Sequence, residues 1–267
     1  MGTESQHKAW NESWIHVVDT IAEPNGWLLL DSIKLERLMS ILPKNGQVLE
    51  VGCGSARLSV FLAERGYVIT GLDYSMSALE VAQRNFEGMG LASRLVGNNE
   101  ELLLDNDQNV NIHRFVQGDA TKLPFNDNTF DIVISTGLLE HFEDPSIVVK
   151  EMVRVLASNG VFYSDVVPKK FSMFRLSKLW RPFEVGGESV YEGAYREKNI
   201  SQWLDSTTQL EDYSIIPAGV LPPYRFTSRP KWLRKAIFAL RPLWVWLEGG
   251  WLASVFGCYY FVTARKK

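Results

Sequence analysis

Only two cysteines occur in the 267 residues, Cys53 and Cys258, and neither sits in a C-x-x-C pair. That excludes a disulfide framework and a zinc knuckle, and predicts a reducing, cytoplasmic setting. A surplus of basic charge is also missing. Lys and Arg number 28 against 31 Asp and Glu, a formal charge of −3, so no nucleic-acid partner is expected. The first eight residues are polar, without the apolar run of a secretory leader. An uninterrupted membrane-length apolar segment is lacking too. The best approach to one, residues 236–262, is broken by Arg241, Pro242, Glu248 and the Gly249-Gly250 pair. It reads as a helix, a turn and a buried strand.

What is present is ordinary globular composition, with 46% hydrophobic and 22% charged residues. Residues 10–42 carry Leu28, Leu29, Ile33, Leu35, Leu38 and Leu42 at helical spacing, ended by Pro43-Lys44-Asn45-Gly46. Short apolar strands follow at 47–51, 67–72, 113–117, 131–135 and 161–167. Helices separate them: one through Leu58–Ala63 stopped by Gly66, one from Met76 to Glu87 capped by Ser75, and one opened by Asp144-Pro145 and ending near Asn159-Gly160. Residues 97–111 read as a polar inserted loop. Strands alternating with helices predict a parallel sheet covered on both faces. Beyond Pro168 the alternation fails, and two late strands are expected at 213–217 and 257–264, the second antiparallel.

The chemistry concentrates at the ends of the first four strands. Val48–Ala56 reads VLEVGCGSA, a strand running into a glycine-rich turn and then a helix. Such a turn lets a ligand approach the backbone closely, and suits any nucleoside-bearing cofactor. The second strand closes on Asp73, about twenty residues after the turn, where a carboxylate can accept ribose hydroxyls. The third closes on Gly118-Asp119-Ala120, a second acid at the same edge. A nicotinamide fingerprint would need glycine where Arg57 stands.

The runs VLEVGCGSARLSVFLAERGYVITGLDYS, QGDATKLPFNDNTFDIVIS, LLEHFEDP and EMVRVLASNGVFYSDVVP resemble the type-11-like small-molecule methyltransferases of class I, over residues 45–168. The resemblance implies a Rossmann-like α/β fold with a seven-stranded, mostly parallel sheet, and S-adenosyl-L-methionine as cofactor. By the resemblance, Gly52 and Gly54 line the methionine part, and Glu50 orients that turn and the amino group. Asp73 holds the ribose, Tyr74 lies beside the adenine, and Asp119 with the Ala120 N–H meets the adenine edge. Ser135 and Thr136 supply carbonyls near the ammonium. Ala56 departs from the family, which has a third glycine there, and altered turn packing is expected.

His141, in Leu139-Glu140-His141-Phe142, is the candidate general base or acceptor contact. The alternative for it is a locally packed histidine. Some relatives hold a metal through Glu-x-x-Glu-His at this turn; Gly137 occupies the first acidic position here, so no metal is expected. Residues 1–44 are expected to form a helical lid (Trp10, Trp14, His16), and 169–267 the acceptor-binding insertions and last strands. Phe171, Phe174, Trp180, Phe183, Tyr191 and Tyr195 in the first insertion suit an apolar or aromatic small-molecule acceptor. The basic amphipathic stretch 229–241 suits either peripheral membrane contact or a solvated helix face. Two other readings remain open: a cofactor-binding protein that methylates nothing, and a methyltransferase acting on protein or RNA.

Overall fold

A computed structural model describes residues 4–15, 29–97, 112–169, 183–185, 188–220, 232, 236 and 239–267. The chain opens with α1 (Glu4–Ile15) and α2 (Leu29–Ile41). The alternating core follows: β1 (Gln47–Val51), α3 (Arg57–Ala63), β2 (Val68–Asp73), α4 (Met76–Gly88), β3 (Ser93–Val96), β4 (His113–Gln117), β5 (Phe130–Thr136), a 3₁₀ turn (Leu139–His141), α5 (Pro145–Val155) and β6 (Leu156–Val166). A small hairpin, β7 (Phe183–Val185) and β8 (Glu188–Val190), precedes α6 (Glu197–Asp205), β9 (Leu210–Ala218), α7 (Arg241–Leu247), α8 (Trp251–Phe256) and β10 (Tyr259–Lys266).

The main sheet has eight strands in the order β3-β4-β2-β1-β5-β6-β10-β9. The parallel ladders β3–β4, β4–β2, β2–β1, β1–β5 and β5–β6 carry the cofactor-type edge. β10 runs antiparallel to both β6 and β9, so one strand alone is reversed, as expected for the last. Alternate residues of the central strands feed opposite faces. Leu49, Val51, Val133 and Phe162 pack with α5 and α6, whereas Val48, Ile132, Ile134 and Tyr163 pack with α3 and α4.

Two sequence expectations need correction. The sheet gains an eighth strand, β3, whose Ser93-Arg94-Leu95-Val96 is too polar to read as a strand but sits at the sheet edge, where one face is wet. Helices α1 and α2 fall in the N-terminal region that reads as helical, and residues 16–28, including His16, lie outside the described residues. And α5 stops at Val155 rather than near Asn159-Gly160. Leu156 already pairs with Phe130, while the Asn128 and Thr129 amides take the Arg154 and Val155 carbonyls that another helical turn would use. Lys266 Nζ, from the far end of the chain, donates to the Val153 and Leu156 carbonyls at 2.7 Å each and closes that helix end. The expected loop 97–111 lies almost wholly outside the described residues.

Local capping follows the sequence. Ser75 Oγ accepts from the Ala78 amide, and Asp144 from the Ser146 amide with Pro145 at the first helical position. Arg154 braces the loop after β4 by bonding Glu151, Asp127 and the Leu123 and Phe125 carbonyls.

Candidate active site

The turn after β1 is wound left-handed at alternate residues, with φ +68° at Gly52, +51° at Gly54 and +53° at Ala56. Ala56 therefore adopts the glycine conformation at a cost of roughly 1–2 kcal/mol, its methyl fully buried. A Cβ on Gly52 would fall 2.7 Å from Leu138 Cδ1, so glycine is required there by space as well as by conformation.

Four amides of this turn are spent inside the protein. Gly52 and Cys53 both donate to the Leu72 carbonyl, Ala56 to the Cys53 carbonyl, and Gly54 to Asp73 Oδ2 at 2.8 Å. A phosphate-binding turn instead aims its amides at the ligand. This turn offers space and a carboxylate where a pyrophosphate would demand N–H groups.

Asp73 closes β2, accepting from Gly54 N–H through one oxygen and Ser75 N–H through the other at 2.9 Å. A carboxylate has about four acceptor sites, so two amides leave capacity for hydroxyl donors. Burial pushes its carboxyl above the usual range, partly offset by those N–H donors. Glu50, buried beneath the turn, accepts from Ser59 Oγ at 2.5 Å and Thr136 Oγ1 at 3.2 Å. Burial outweighs these bonds and pushes its carboxyl up to about 7. Asp119 accepts from both the amide and the hydroxyl of Thr121 through Oδ1, at 2.8 Å each; Oδ2 takes no part in that turn.

These side chains share one cavity of about 390 Å³ along the carboxyl edge of the sheet. Glu50, Gly52, Gly54, Asp73, Tyr74, Asp119, Ala120, Thr136 and His141 all line it, as do Trp10 and Trp14 of α1. Ser135 does not: it is buried in β5, its hydroxyl bonded to Ser164 Oγ at 2.9 Å. Asn11 ties α1 to the start of α4 through Ser75 Oγ. Trp14 lies 3.0 Å from where a Gly54 Cβ would stand. Of the aromatic insertion, 170–182 lie outside the described residues. Tyr195 hydroxyl donates to the Phe142 carbonyl at 2.5 Å, and Val190 reaches the cavity wall.

His141 sits on the 3₁₀ turn with its ring edge-on to Trp10, centroids 5.1 Å apart. Its Nδ1 lies 2.9 Å from the Tyr191 carbonyl. A carbonyl only accepts, so Nδ1 bears the proton and Nε2 is the basic nitrogen of the neutral ring. Sequence reasoning missed two charged wall residues, Lys34 of α2 and Asp165 of β6. An acid inside the otherwise apolar run VFYSDVV was a readable signal; a lone lysine on a helix was not.

The site suits an unphosphorylated adenosine bearing a cationic amino-acid tail. The acid after β4 and the acid that ends β2 put hydrogen-bond acceptors on the cavity wall, the glycine turn gives four of its amides to protein acceptors, and the buried Glu50 carboxyl lies beneath that turn.

Comparison with known proteins agrees. A family model described as a methyltransferase domain matches residues 49–164. A ubiquinone biosynthesis O-methyltransferase of Histophilus somni is 28% identical over 163 residues, covering 60% of this chain and 62% of that protein. One of the same description from Coxiella burnetii is 26% identical over 183 residues, 67% of this chain and 70% of that one. The matched region is thus under two thirds of the Histophilus protein's length. Among solved structures, a SAM-dependent methyltransferase from Thermotoga maritima aligns over 98% of this chain and 96% of its own, with TM-score 0.58 and 16% identity. One from Methanosarcina mazei covers 86% and 96%, with TM-score 0.51 and 19% identity. At such identities these two establish the fold.

Proposed function

We propose that this chain, whose residues 49–164 match the methyltransferase-domain model, transfers the methyl group of S-adenosylmethionine to an oxygen of a small, largely apolar acceptor. The observation that carries this reading is the single cavity joining the glycine turn, Asp73, Asp119, Glu50 and His141. Asp73 holds the ribose, Tyr74 and Asp119 with the Ala120 amide meet the adenine, and Gly52 and Gly54 make room for the methionine part. Glu50 and Thr136 take the ammonium. The bound cofactor supplies an electrophilic methyl carbon; the protein supplies alignment and exclusion of water. The α1 helix, with Trp10 and Trp14 on the cavity, serves as the lid. An oxygen acceptor agrees with the O-methyltransferase names of the relatives and with a basic Nε2 on His141.

His141 removes the acceptor's hydroxyl proton. His141→Ala is expected to lower turnover by roughly 10²–10⁴-fold, as loss of a general base does, with S-adenosylhomocysteine affinity nearly unchanged. Steady-state kinetics beside calorimetry checks this, and an unaltered turnover would assign the ring to packing on Trp10.

Exposed aromatics suggest where the acceptor comes from. Trp232, Trp246 and Trp251 are 69%, 76% and 70% exposed, and Leu243, Val245 and Val255 join them on α7 and α8. The basic stretch 229–241, mostly outside the described residues, adjoins this face in sequence. Indoles beside lysines and arginines suit an anionic lipid surface. Among the described residues no helix is long and apolar enough to cross a membrane. Sedimentation with phosphatidylglycerol vesicles should carry the protein down, and a Trp246→Ser, Trp251→Ser double variant should lose most of that binding. Equal binding by the variant would refute this contact.

A further inference from the structure

His141 is fastened to the segment that joins β8 to α6. Three consecutive residues of its turn meet three alternate residues of that segment. The Gly193 amide donates to the Glu140 carbonyl at 2.8 Å, His141 Nδ1 to the Tyr191 carbonyl at 2.9 Å, and the Tyr195 hydroxyl to the Phe142 carbonyl at 2.5 Å. The Gly193 carbonyl accepts from the Lys169 amide at 2.8 Å, which ties the segment to the chain leaving β6. Val190, just ahead of it, lies on the cavity wall.

Two features stiffen this strap. The Tyr195 ring stands edge-on to Trp203 of α6, centroids 4.6 Å apart, and Trp203 is buried in the core. That ring also folds back over Gly193. A Cβ there would fall 2.1 Å from Tyr195 Cε2 and 2.4 Å from Cζ, far inside van der Waals contact, so glycine is required by space. The single Tyr195 hydroxyl proton is directed at the Phe142 and Glu143 carbonyls. The Tyr191 hydroxyl, 3.2 Å away, therefore donates to the Tyr195 oxygen. Tyr191 is held at its carbonyl by His141 and at its hydroxyl by Tyr195. Glu140, the carboxyl next to His141 in the chain, is buried and takes the Val167 amide. The partner that orients Nδ1 is a backbone carbonyl rather than a carboxylate.

We propose that Tyr195, acting through the strap, is a positioning residue for the methyl transfer: it keeps the Tyr191 carbonyl on His141 Nδ1 and so holds the ring proton on that nitrogen. This rests on His141 being the base. An unconstrained histidine in water prefers the opposite tautomer, with the proton on Nε2, and a fixed acceptor at Nδ1 reverses that preference. In the transfer the acceptor's hydroxyl proton passes to Nε2, its oxygen pair bonds to the methyl carbon, and the C–S pair returns to sulfur. A ring in the wrong tautomer carries a proton where it should receive one. A strap that merely closed the fold could be loosened without changing where the ring proton sits.

The test is nitrogen NMR of the full chain labelled at histidine, at about pH 8.5, above the range in which imidazoles ordinarily titrate. The chain has four histidines, and the spectrum of His141→Ala identifies the signals of this one. In the wild type Nδ1 should give the signal of a protonated ring nitrogen. Tyr195→Phe keeps the ring on Trp203 and removes only the hydroxyl. Gly193→Ala keeps every hydrogen-bonding group and displaces the Tyr195 ring. In both variants the Nδ1 signal should move toward that of a bare nitrogen, further in Gly193→Ala. Affinity for S-adenosylhomocysteine within about threefold of wild type would mark both variants as folded, whereas its loss would make the strap a general support of the cavity and overturn the specific role. A wild-type ring with Nδ1 bare overturns the proposal. An Nδ1 signal unmoved in both variants also overturns it, and leaves the base reading standing. Unaltered turnover of His141→Ala would instead strike the base reading, and the strap's part in catalysis with it, whatever the spectra show.

Discussion

Asp73→Ala should weaken binding of S-adenosylhomocysteine by roughly 10²–10⁴-fold. Two ribose hydroxyls donating to one carboxylate are charge-assisted bonds of about 1.5–3 kcal/mol each, and both disappear with the side chain. The loss reaches further, because Asp73 also receives the Gly54 amide and the Ser75 amide. Without it the Gly54 N–H is left without its acceptor at the bend the cofactor must approach. Asp73→Asn separates the two contributions. Its amide oxygen can still accept from one backbone N–H, so the turn should survive better than in the alanine variant while hydroxyl recognition stays impaired. Titration calorimetry with a thermal melt of each apo-protein reads both effects. An affinity equal to wild type in Asp73→Ala would show that the ribose lies elsewhere.

Glu50→Gln should remove the pH dependence of stability that Glu50 imposes. Its carboxyl stands at about 7 in the folded protein against an ordinary 4.5, because burial disfavours the charge. The folded state therefore holds a proton that the unfolded chain releases between these values. The stability this provides is fully present below pH 4.5 and is lost as pH rises through 7, about 3 kcal/mol in all. Glutamine cannot ionise, so the variant should lack that decline and gain on the wild type progressively from pH 5 to 8. Denaturant melts across this range check it, and parallel profiles would refute it. A carboxyl kept where it weakens the empty protein is understandable if a cation settles beside it. Cofactor binding near pH 6 should then expel close to one proton from the wild type and none from Glu50→Gln, as calorimetry in two buffers of different ionisation enthalpy would register.

Much of the fold was readable because it rests on local signals. The strand at Gln47–Val51, the Ser75 cap and the Asp144-Pro145 helix start stand where apolar runs and turn chemistry placed them. What escaped depends on distant partners. The polar edge strand Ser93–Val96 exists because β4 offers it a ladder. The early end of α5 is decided by Phe130, Asn128 and Lys266, remote in sequence. The cavity shows the same division. The glycine turn and the strand-end acids form contiguous motifs, so these parts of its wall were named from sequence, whereas Lys34 and Asp165 were not. Ser135, expected to offer its carbonyl, does not line the cavity, and its hydroxyl is turned into the sheet toward Ser164. The Lys34–Asp165 pair joins a helix before the first strand to the end of the sixth. No spacing rule connects them.

A crystal structure with S-adenosylhomocysteine bound would try the account most directly. The ribose hydroxyls should lie on Asp73, the adenine between Tyr74 and Asp119, and the sulfur should face His141. An adenosine seated at the β5–β6 end, or density for it outside this cavity, would contradict the assignment of both ends of the site.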